Sequence, residues 1–313
     1  MKNKEIFNHY YKYRKFKNRD SFYKYDNNGN IIGFDDCGLD ALSKGKVWFS
    51  HLDYLNDPYE NQGDYDTSSL YHKLDDYLLT MPANIPLNVK EFLLYLKRRG
   101  DSDEEIIKRI EMGFPDEERL QNEIPRRLQE IETIKQVTGI LSLSELKDSL
   151  LMWSYYADDH YGYCLEFSST EQHCSYKNGM SYNKCFSKVV YDSKYYTFAD
   201  INPFFWFESE AYSEDRMLEL KKRIFCHKSK EWDHEKEWRI FLDITAFKKD
   251  DNASGALLPF PGKLTTIYCG ARMSDDAIDA LKQAVSVGNY GYKPKFKKAK
   301  LKKGEFGLEF DDC

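Results

Sequence analysis

The stretch HEKEWRIFL at residues 234–242 decides how this sequence is interpreted. Glu235 and Glu237 feed directly into an apolar run with the composition of a strand. In an extended segment, residues i and i+2 project to the same face, so we expect the two glutamates to stand side by side. Like charges placed in this way repel each other unless a cation, a metal or a substrate hydroxyl stabilises them. This run is therefore the first candidate for chemistry.

Composition excludes several classes of protein. The chain has 313 residues, enough for one large domain or two ordinary ones with a buried core. Aromatic residues make up 16%, which is far too high for a disordered chain. The formal net charge of -6 provides no global basic field to steer the chain to nucleic acid. With no apolar stretch of membrane-spanning length and no secretion signal, we expect a cytoplasmic protein without a membrane partner.

The cysteines favour reduced thiols. There are seven of them, an odd number without regular spacing, as is typical of a cytoplasmic protein without a disulfide framework. Cys226 and His227 are adjacent and His234 follows, but no CxxC pair or comparable ligand spacing accompanies them. We therefore expect buried free thiols and no metal site.

The chain reads as one α+β domain over residues 1–313 that contains a helical region. From about residue 68 to residue 138, apolar residues recur at helical spacing, and glycines and prolines divide the stretch into several helices. We interpret residues 68–138 as a helical insertion or lid. Strand patterns dominate elsewhere, as at residues 46–50, 140–144 and 264–269.

Three further helices are predicted from capping residues and periodicity. One runs from Leu150 to Ala157 after a cap at Asp148 or Ser149, and another spans about Glu214 to Cys226. A short amphipathic helix follows a cap at Ser274 and continues through Ala284.

Six ordered motifs resemble a known family. They are KYR (12–14), FSHLDYLNDPYE (49–60), LSLSE (141–145), LMWSYYADDHYGYCLEF (151–167), KSKEWDHEKEWRI (228–240) and IYCGARMS (267–274). Together they resemble the bacterial domain-of-unknown-function family numbered 2971, over most of the chain except the helical region. The family name itself implies no established activity.

The same pattern has a looser similarity to ADP-ribosyltransferases. Those enzymes place an Arg or His on an early strand, a Ser or Tyr on a middle strand and a Glu at the start of a late strand. The arginine-first class has Glu-x-Glu before an apolar strand, which residues 235–240 resemble. The resemblance implies a split, mostly antiparallel β-sheet core and an enzyme that uses NAD to modify a protein or nucleic-acid acceptor. A toxin or anti-phage defence effector, with a cognate antitoxin or defence partner, would suit such an activity.

The resemblance also implies catalytic roles. Cleavage of the nicotinamide–ribose bond passes through an oxocarbenium-like ribose, which a fixed carboxylate bound to the ribose hydroxyls stabilises. Glu237 would be that carboxylate, and Glu235 would orient or deprotonate the acceptor. Arg14 would hold the pyrophosphate or ribose of NAD. The structural alternative pairs Glu237 with Arg239 or Lys236 on an exposed face, with the neighbouring tryptophan in the core.

Polar and aromatic residues complete the predicted NAD-binding set. Asn56 and Asp57 lie in an NDPYE turn just beyond a strand end, where a loop can line a pocket, although such turns are more often purely structural. Trp153 or Tyr156 would provide an aromatic platform for nicotinamide or a base, with core packing as the alternative. The full set is Arg14, Tyr13, Ser50, Asn56, Asp57, Trp153 and Tyr156.

His160 is the third predicted catalytic residue. It lies four residues after Tyr156, which puts both on one face at the end of the predicted helix. Because an unperturbed histidine titrates near physiological pH, we expect a general acid or a ribose contact there. A partner for the C-terminal helix dipole is the alternative.

Two other patterns stand out. Ser142 and Ser144 alternate with leucines, so their hydroxyls share a face, as does the middle-strand serine of arginine-first transferases. Seven lysines between residues 293 and 303 form a basic strip. Lysines protect edge strands against aggregation, which is the first interpretation, and a phosphate-tracking surface is the second.

Two alternative functions remain open. One is a nuclease-type toxin that uses His160 or His227 with nearby carboxylates. The other is a non-catalytic module that binds a nucleotide or a partner, which a Glu237 sealed in a salt bridge with no adjacent cleft would favour.

Overall fold

A computed structural model of the chain describes residues 8–57, 59, 102, 117–169, 186–194, 214–247 and 254–313. The chain divides into two compact units. The first comprises Met1–Glu60, Val137–Ser193 and Phe225–Cys313, and the second comprises Asn61–Gln136 and Lys194–Ile224. Most of the predicted insertion at residues 68–138 lies outside the described residues.

Fourteen strands are described. They are β1 (Asn8–Arg14), β2 (Tyr23–Tyr25), β3 (Ile31–Phe34), β4 (Lys46–His51), β5 (Thr138–Ser144), β6 (Tyr163–Ser169), β7 (Phe186–Lys188), β8 (Val190–Asp192), β9 (His227–Ser229), β10 (Glu237–Asp243), β11 (Gly255–Pro259), β12 (Lys263–Cys269), β13 (Lys295–Leu301) and β14 (Leu308–Asp312).

Helices separate these strands. The described α-helices are α1 (Cys37–Ser43), α2 (Glu117–Val137), α3 (Leu150–Tyr156), α4 (Glu214–Phe225) and α5 (Asp275–Gly288). Short 3-10 helices occupy Leu52–Tyr54, Lys230–Glu235 and Thr245–Phe247. Within the described ranges, no helix combines the length and apolar character needed to cross a membrane.

Capping side chains fix where three helices begin. The Asp36 carboxylate accepts hydrogen bonds from the first backbone amides of α1. Ser149 and Ser274 cap α3 and α5 in the same way, as the sequence predicts. These bonds satisfy amides that have no partner inside the helix.

Ten of the described strands form one mostly antiparallel sheet. Its order is β11-β4-β5-β1-β6-β12-β13-β14, and β10 pairs with β5 and β7. All its pairs are antiparallel except β12 with β13. The coarse prediction of an α and β protein with a mostly antiparallel sheet is confirmed.

The sheet opens along one edge of β5. On its other edge, β5 pairs with β10 over its full length. On the open edge, β4 pairs with Gly139 and Ile140, and β1 pairs with Ser144 through Tyr11. Among the described strands, residues 141–143 therefore have no partner on this edge, whereas β1 pairs with β6 along its whole length.

Two hydrophobic clusters cover the two faces of the sheet. Tyr10 of β1 belongs to the larger cluster, with residues from α1 and α5. Tyr11 and Tyr13 belong to the other, in which Trp153 of α3 is fully buried. This division follows from the alternation of side chains along a strand. It fixes α3 over the place where β1 leaves β5.

Candidate functional site

A cleft lies at the opening between β1 and β5. It contains about 400 Å³ of empty space, a volume that includes the solvent at its open side. Its lining residues all belong to the first unit and are Tyr11, Lys12, Tyr13, Asn56, Ser142, Leu143, Ser144, Met152, Tyr156, Lys228, Glu235 and Glu237.

The interrupted pairing of the sheet creates this cleft. Because Tyr11 pairs with Ser144 in antiparallel register, continued pairing would set Lys12 opposite Leu143 and Tyr13 opposite Ser142. The two strands diverge there instead, and their side chains line the gap. Residues from both faces of β1 thus reach one cavity.

Glu237 is a buried carboxylate at the first position of β10. Arg239 donates to it from two nitrogens, Nε to Oε1 at 2.8 Å and Nη2 to Oε2 at 2.9 Å. Lys228 Nζ lies 3.5 Å from the same Oε2. Arg239 is itself buried and also donates to the carbonyl of Phe225 at 2.8 Å. The structural alternative is therefore right about the Arg239 pair and wrong about an exposed face.

The backbone of Glu235 is not part of the strand that contains Glu237. It ends the 3-10 helix Lys230–Glu235, and Lys236 adopts a left-handed conformation with φ 46° before β10 begins. The expectation that Glu235 and Glu237 lie side by side in one extended segment is wrong for this reason. The turn nevertheless brings both carboxylates to Lys228, whose Nζ donates to Glu235 Oε2 at 2.8 Å.

The two carboxylates have pKa values shifted in opposite directions. Burial raises the pKa of Glu237, but the charges of Arg239 and Lys228 outweigh this effect and lower it to about 2. A hydrogen bond from Ser142 acts in the same direction. For Glu235, burial is the largest effect and the pKa is raised, despite the opposing charge of Lys228. Opposite shifts in neighbouring groups are a feature of acid–base sites.

Tyr156 connects Glu235 to the predicted loop. Its hydroxyl donates to Glu235 Oε1 and accepts from the Asn56 amide at 3.0 Å. Burial and the neighbouring carboxylate raise the pKa of Tyr156, so the phenol stays protonated. Tyr13 also lines the cleft, with its hydroxyl bonded to the carbonyl of Leu146 at 2.8 Å.

Lys12 is a second lysine in the lining of the cleft. It is half-buried, and in the part of the chain that the structure describes its ammonium makes no hydrogen bond or ion pair. Burial lowers its pKa to about 8, an effect that the positive charge of Arg14 increases and the carboxylates of Glu237 and Glu235 oppose. It therefore differs from Lys228, which contacts both carboxylates.

Three predicted ligands of NAD lie outside the lining of the cleft. Arg14 is half-buried, with Nη2 3.9 Å from Cys37 Sγ. Ser50 is paired inside the sheet, between Ile140 and Gly255. Asp57 is buried and accepts from the amide of Tyr59 at 2.9 Å.

Trp153 and His160 also lie outside the lining. Trp153 is fully buried and donates to the carbonyl of Lys147 at 2.8 Å. The ring of His160 stacks on it at 6.0 Å. Burial lowers the pKa of His160, and so does the nearby Arg272. His160 follows two residues that share its positive φ, so the helix it was expected to complete ends earlier.

The sequence reasoning missed two lysines of the site and underrated one serine. Lys12 stands in the quoted KYR motif, beside the two residues that were chosen. Lys228 is the first residue of the motif at residues 228–240, which contains both glutamates. Charge balance was the available signal, because two buried carboxylates require cations. Ser144 has a structural role, since its hydroxyl donates to the carbonyl of Glu235 at 2.6 Å.

The lysine strip and the cysteines lie outside the lining of the cleft. The lysine strip lies mainly on β13, between β12 and the edge strand β14, and acidic residues there pair with Lys297 and Lys300. Cys164, Cys226 and Cys269 are buried, whereas Cys37 and Cys313 are exposed. Over the described ranges, no group of three or more His, Cys, Asp or Glu side chains is arranged to hold a metal ion.

The fold and site define a mixed α/β protein with a charged cleft at an opening in its sheet. The family described as "Protein of unknown function (DUF2971)" matches residues 152–240. The match extends from α3 to β10 and includes Tyr156, Lys228, Glu235 and Glu237. It supports a relationship to that family over this stretch. Neither the curated proteins nor the solved structures contain a significant match to the chain.

Proposed function

We propose that the cleft is the active site of an enzyme that consumes NAD and transfers ADP-ribose to a macromolecule. The observation that carries the proposal is the adjacency of three strands in the order β1, β5, β10. They bring a basic early strand, a serine on a middle strand and a glutamate at the start of a late strand to one cavity. The resemblance to ADP-ribosyltransferases implies the serine and the glutamate of this arrangement, but on the early strand it implies Arg14, where the cleft has Lys12 instead.

Glu237 has the properties needed for the charge-stabilising role. As the bond between ribose C1 and nicotinamide breaks, the bonding electrons leave with nicotinamide and positive charge develops on the ribose. A carboxylate with a pKa of about 2 is ionised throughout the physiological range. Its pair with Arg239 holds it in place, and preorganised charge of this kind lowers the barrier without reorganisation.

Glu235 has the properties of the proton acceptor. The acceptor nucleophile loses a proton as it attacks ribose C1, and a carboxylate with a raised pKa is a stronger base for taking that proton. Hydrogen bonds from Lys228 and Tyr156 orient this carboxylate. The two glutamates therefore divide the chemistry between a permanent anion and a base.

A non-catalytic small-molecule binding module is the second candidate. It is favoured by the bidentate pair between Glu237 and Arg239, which satisfies much of that carboxylate within the protein. The adjacent cleft, which includes both carboxylates, favours the enzyme. The toxin or defence role and the identity of the acceptor and any neutralising partner are part of the same proposal.

The test is incubation of the purified chain with NAD labelled in the adenylate moiety, with and without a bacterial lysate. Nicotinamide release and label transfer are measured for the wild type, Glu235→Gln and Glu237→Gln. Glu309→Gln, an exposed glutamate on β14, is the matched control. We expect activity in the wild type and the control, and a loss of about a hundredfold or more in both site variants.

Folding must be checked because Glu237→Gln leaves Arg239 buried without its anion. Circular dichroism and thermal melting of each variant provide this check. Glu235→Gln retains the Arg239 pair and is the variant less sensitive to misfolding. No nicotinamide release from the wild type, or a folded Glu235→Gln and Glu237→Gln with full activity, would reject the proposal.

A further inference from the structure

The lining of the cleft contains two cations, Lys12 and Lys228, and two carboxylates, and the buried Arg239, which contacts Glu237 from outside the lining, adds a third cation. Glu235 and Glu237 are matched by Lys228 and Arg239 through direct contacts. Lys12 of β1 is left as an additional cation in the lining. A partly desolvated ammonium without an acceptor is unfavourable unless a ligand provides one.

We propose that Lys12 binds a phosphate group of the ligand that occupies this cleft. The inference deepens the proposed function, and the choice of a phosphate rests on it, because NAD carries a pyrophosphate. It replaces Arg14, which lies against Cys37 outside the lining, as the residue that recognises the anionic part of the ligand.

The other donors near Lys12 are already engaged, which leaves it as the main contact for an anion. The Tyr13 hydroxyl donates to the carbonyl of Leu146, and the Tyr11 hydroxyl donates to Glu166 Oε1 at 3.3 Å. Lys228 is bound to the two glutamates. Of the described cations in the lining, Lys12 is thus the one that can turn toward a ligand without breaking an ion pair.

The charges around Lys12 make anion binding dependent on pH. Burial is the largest effect that lowers its pKa, Arg14 on its own strand and Arg239 on β10 lower it further, and the two glutamates raise it. A bound phosphate adds negative charge and favours the protonated ammonium. Affinity for a phosphate is therefore expected to fall as the pH rises through about 8.

The test is equilibrium binding by calorimetry to the full chain, with ADP-ribose and inorganic pyrophosphate as probes. Wild type, Lys12→Met and Lys12→Arg are compared. Lys295→Met, an exposed strand lysine, is the matched control. We expect Lys12→Met to weaken both probes roughly tenfold or more. Lys12→Arg should retain binding and remove the loss of affinity above pH 8, because arginine stays charged.

The outcomes separate this inference from the proposed function. Pyrophosphate binding that depends on Lys12, without nicotinamide release by the wild type, supports the phosphate site and rejects the transferase. Nicotinamide release with an unchanged KM for NAD in a folded Lys12→Met variant rejects the phosphate site and retains the transferase. Nicotinate, a carboxylate probe, tests the nature of the anion. If it binds through Lys12 and pyrophosphate does not, the assignment to phosphate is wrong.

Discussion

The chain contains two clusters of opposite charges with very different surroundings. In the cluster around β10, the carboxylate side chains of Glu235 and Glu237 are 4% and 5% exposed. In the strip formed by β13 and β14, the lysines pair with exposed acidic side chains. The side chain of Asp311, which pairs with Lys300, is 56% exposed. Both clusters contain basic side chains in contact with carboxylates, so the two stretches of sequence are similarly rich in charge.

The difference shows that burial, and not the number of pairs, determines what a charge cluster does. Exposed pairs are screened by water and contribute little to stability. Buried charges lose their hydration, so removing one partner of a pair leaves the other charge uncompensated and destabilises the folded state. Burial and the neighbouring charge also shift the pKa values of both partners. The following changes test this contrast, from the largest expected effect to the smallest.

Arg239→Met should have the largest effect. It leaves the Glu237 carboxylate buried without the guanidinium that binds both of its oxygens. We expect a loss of about 3–5 kcal/mol in the free energy of unfolding, measured by urea denaturation. Lys300→Met in the strip is the matched control and should leave the urea midpoint unchanged. Similar effects of the two substitutions would contradict the contrast.

Acid should destabilise the protein through Glu237. The pKa of this group in the folded state, about 2, lies below its ordinary value of 4.5. The stabilisation is therefore complete above about pH 4.5 and is lost as the pH falls toward 2, by about 3 kcal/mol in total. Glu235, whose pKa is raised, acts with the opposite sign because its protonation favours the folded state.

Urea denaturation at a series of pH values measures this dependence. The acid limb of the curve should be shallower in Glu237→Gln than in the wild type, once the lower overall stability of the variant is taken into account. An identical slope below pH 4.5 in both proteins would show that Glu237 is not the group responsible.

Lys12→Met should stabilise the protein. The lowered pKa of Lys12 means that the folded state disfavours its charged form at neutral pH. Removing the charge is expected to raise the free energy of unfolding by about 1–3 kcal/mol. The gain is limited because water screens part of the charge of this half-buried side chain. The gain should disappear above pH 10.5, where the lysine is neutral in both states. A destabilised variant would indicate that Lys12 has a structural role.

Substitutions in the strip should have the smallest effect. Lys300→Met and Asp311→Asn remove an exposed pair on β13 and β14. We expect melting temperatures within experimental error of the wild type, with no change in nicotinamide release. A large loss of stability in either variant would show that these charges do more than protect the edge of the sheet.

Local patterns were sufficient to predict much of the fold. The strand that begins at Glu237, the helix that follows Ser274 and the helix from Glu214 were expected within a residue or a few of their observed limits. Each depends on contacts between near neighbours in the sequence, such as a cap or an alternation. The opening between β1 and β5 could not be predicted, because it depends on strands more than a hundred residues apart.

Five residues of the site were predicted from the sequence, and the two lysines were not. Both glutamates, Tyr13, Asn56 and Tyr156 line one cleft, although their positions in the sequence are far apart. Arg14 was preferred to Lys12 because the family resemblance named an arginine. Which of two alternating residues faces a cavity depends on how β1 leaves β5, and composition carries no information on that.

The single register pair between β1 and β5 has a consequence for local opening of the backbone. The edge of β5 that faces the cleft is joined to β1 only at Tyr11 and Ser144, while β10 is bonded along the opposite edge. Amide hydrogens on the cleft side of β5 should exchange with deuterium sooner than those on the β10 side. A ligand that contacts both strands would slow this exchange, and the exchange would become fast again when the ligand dissociates.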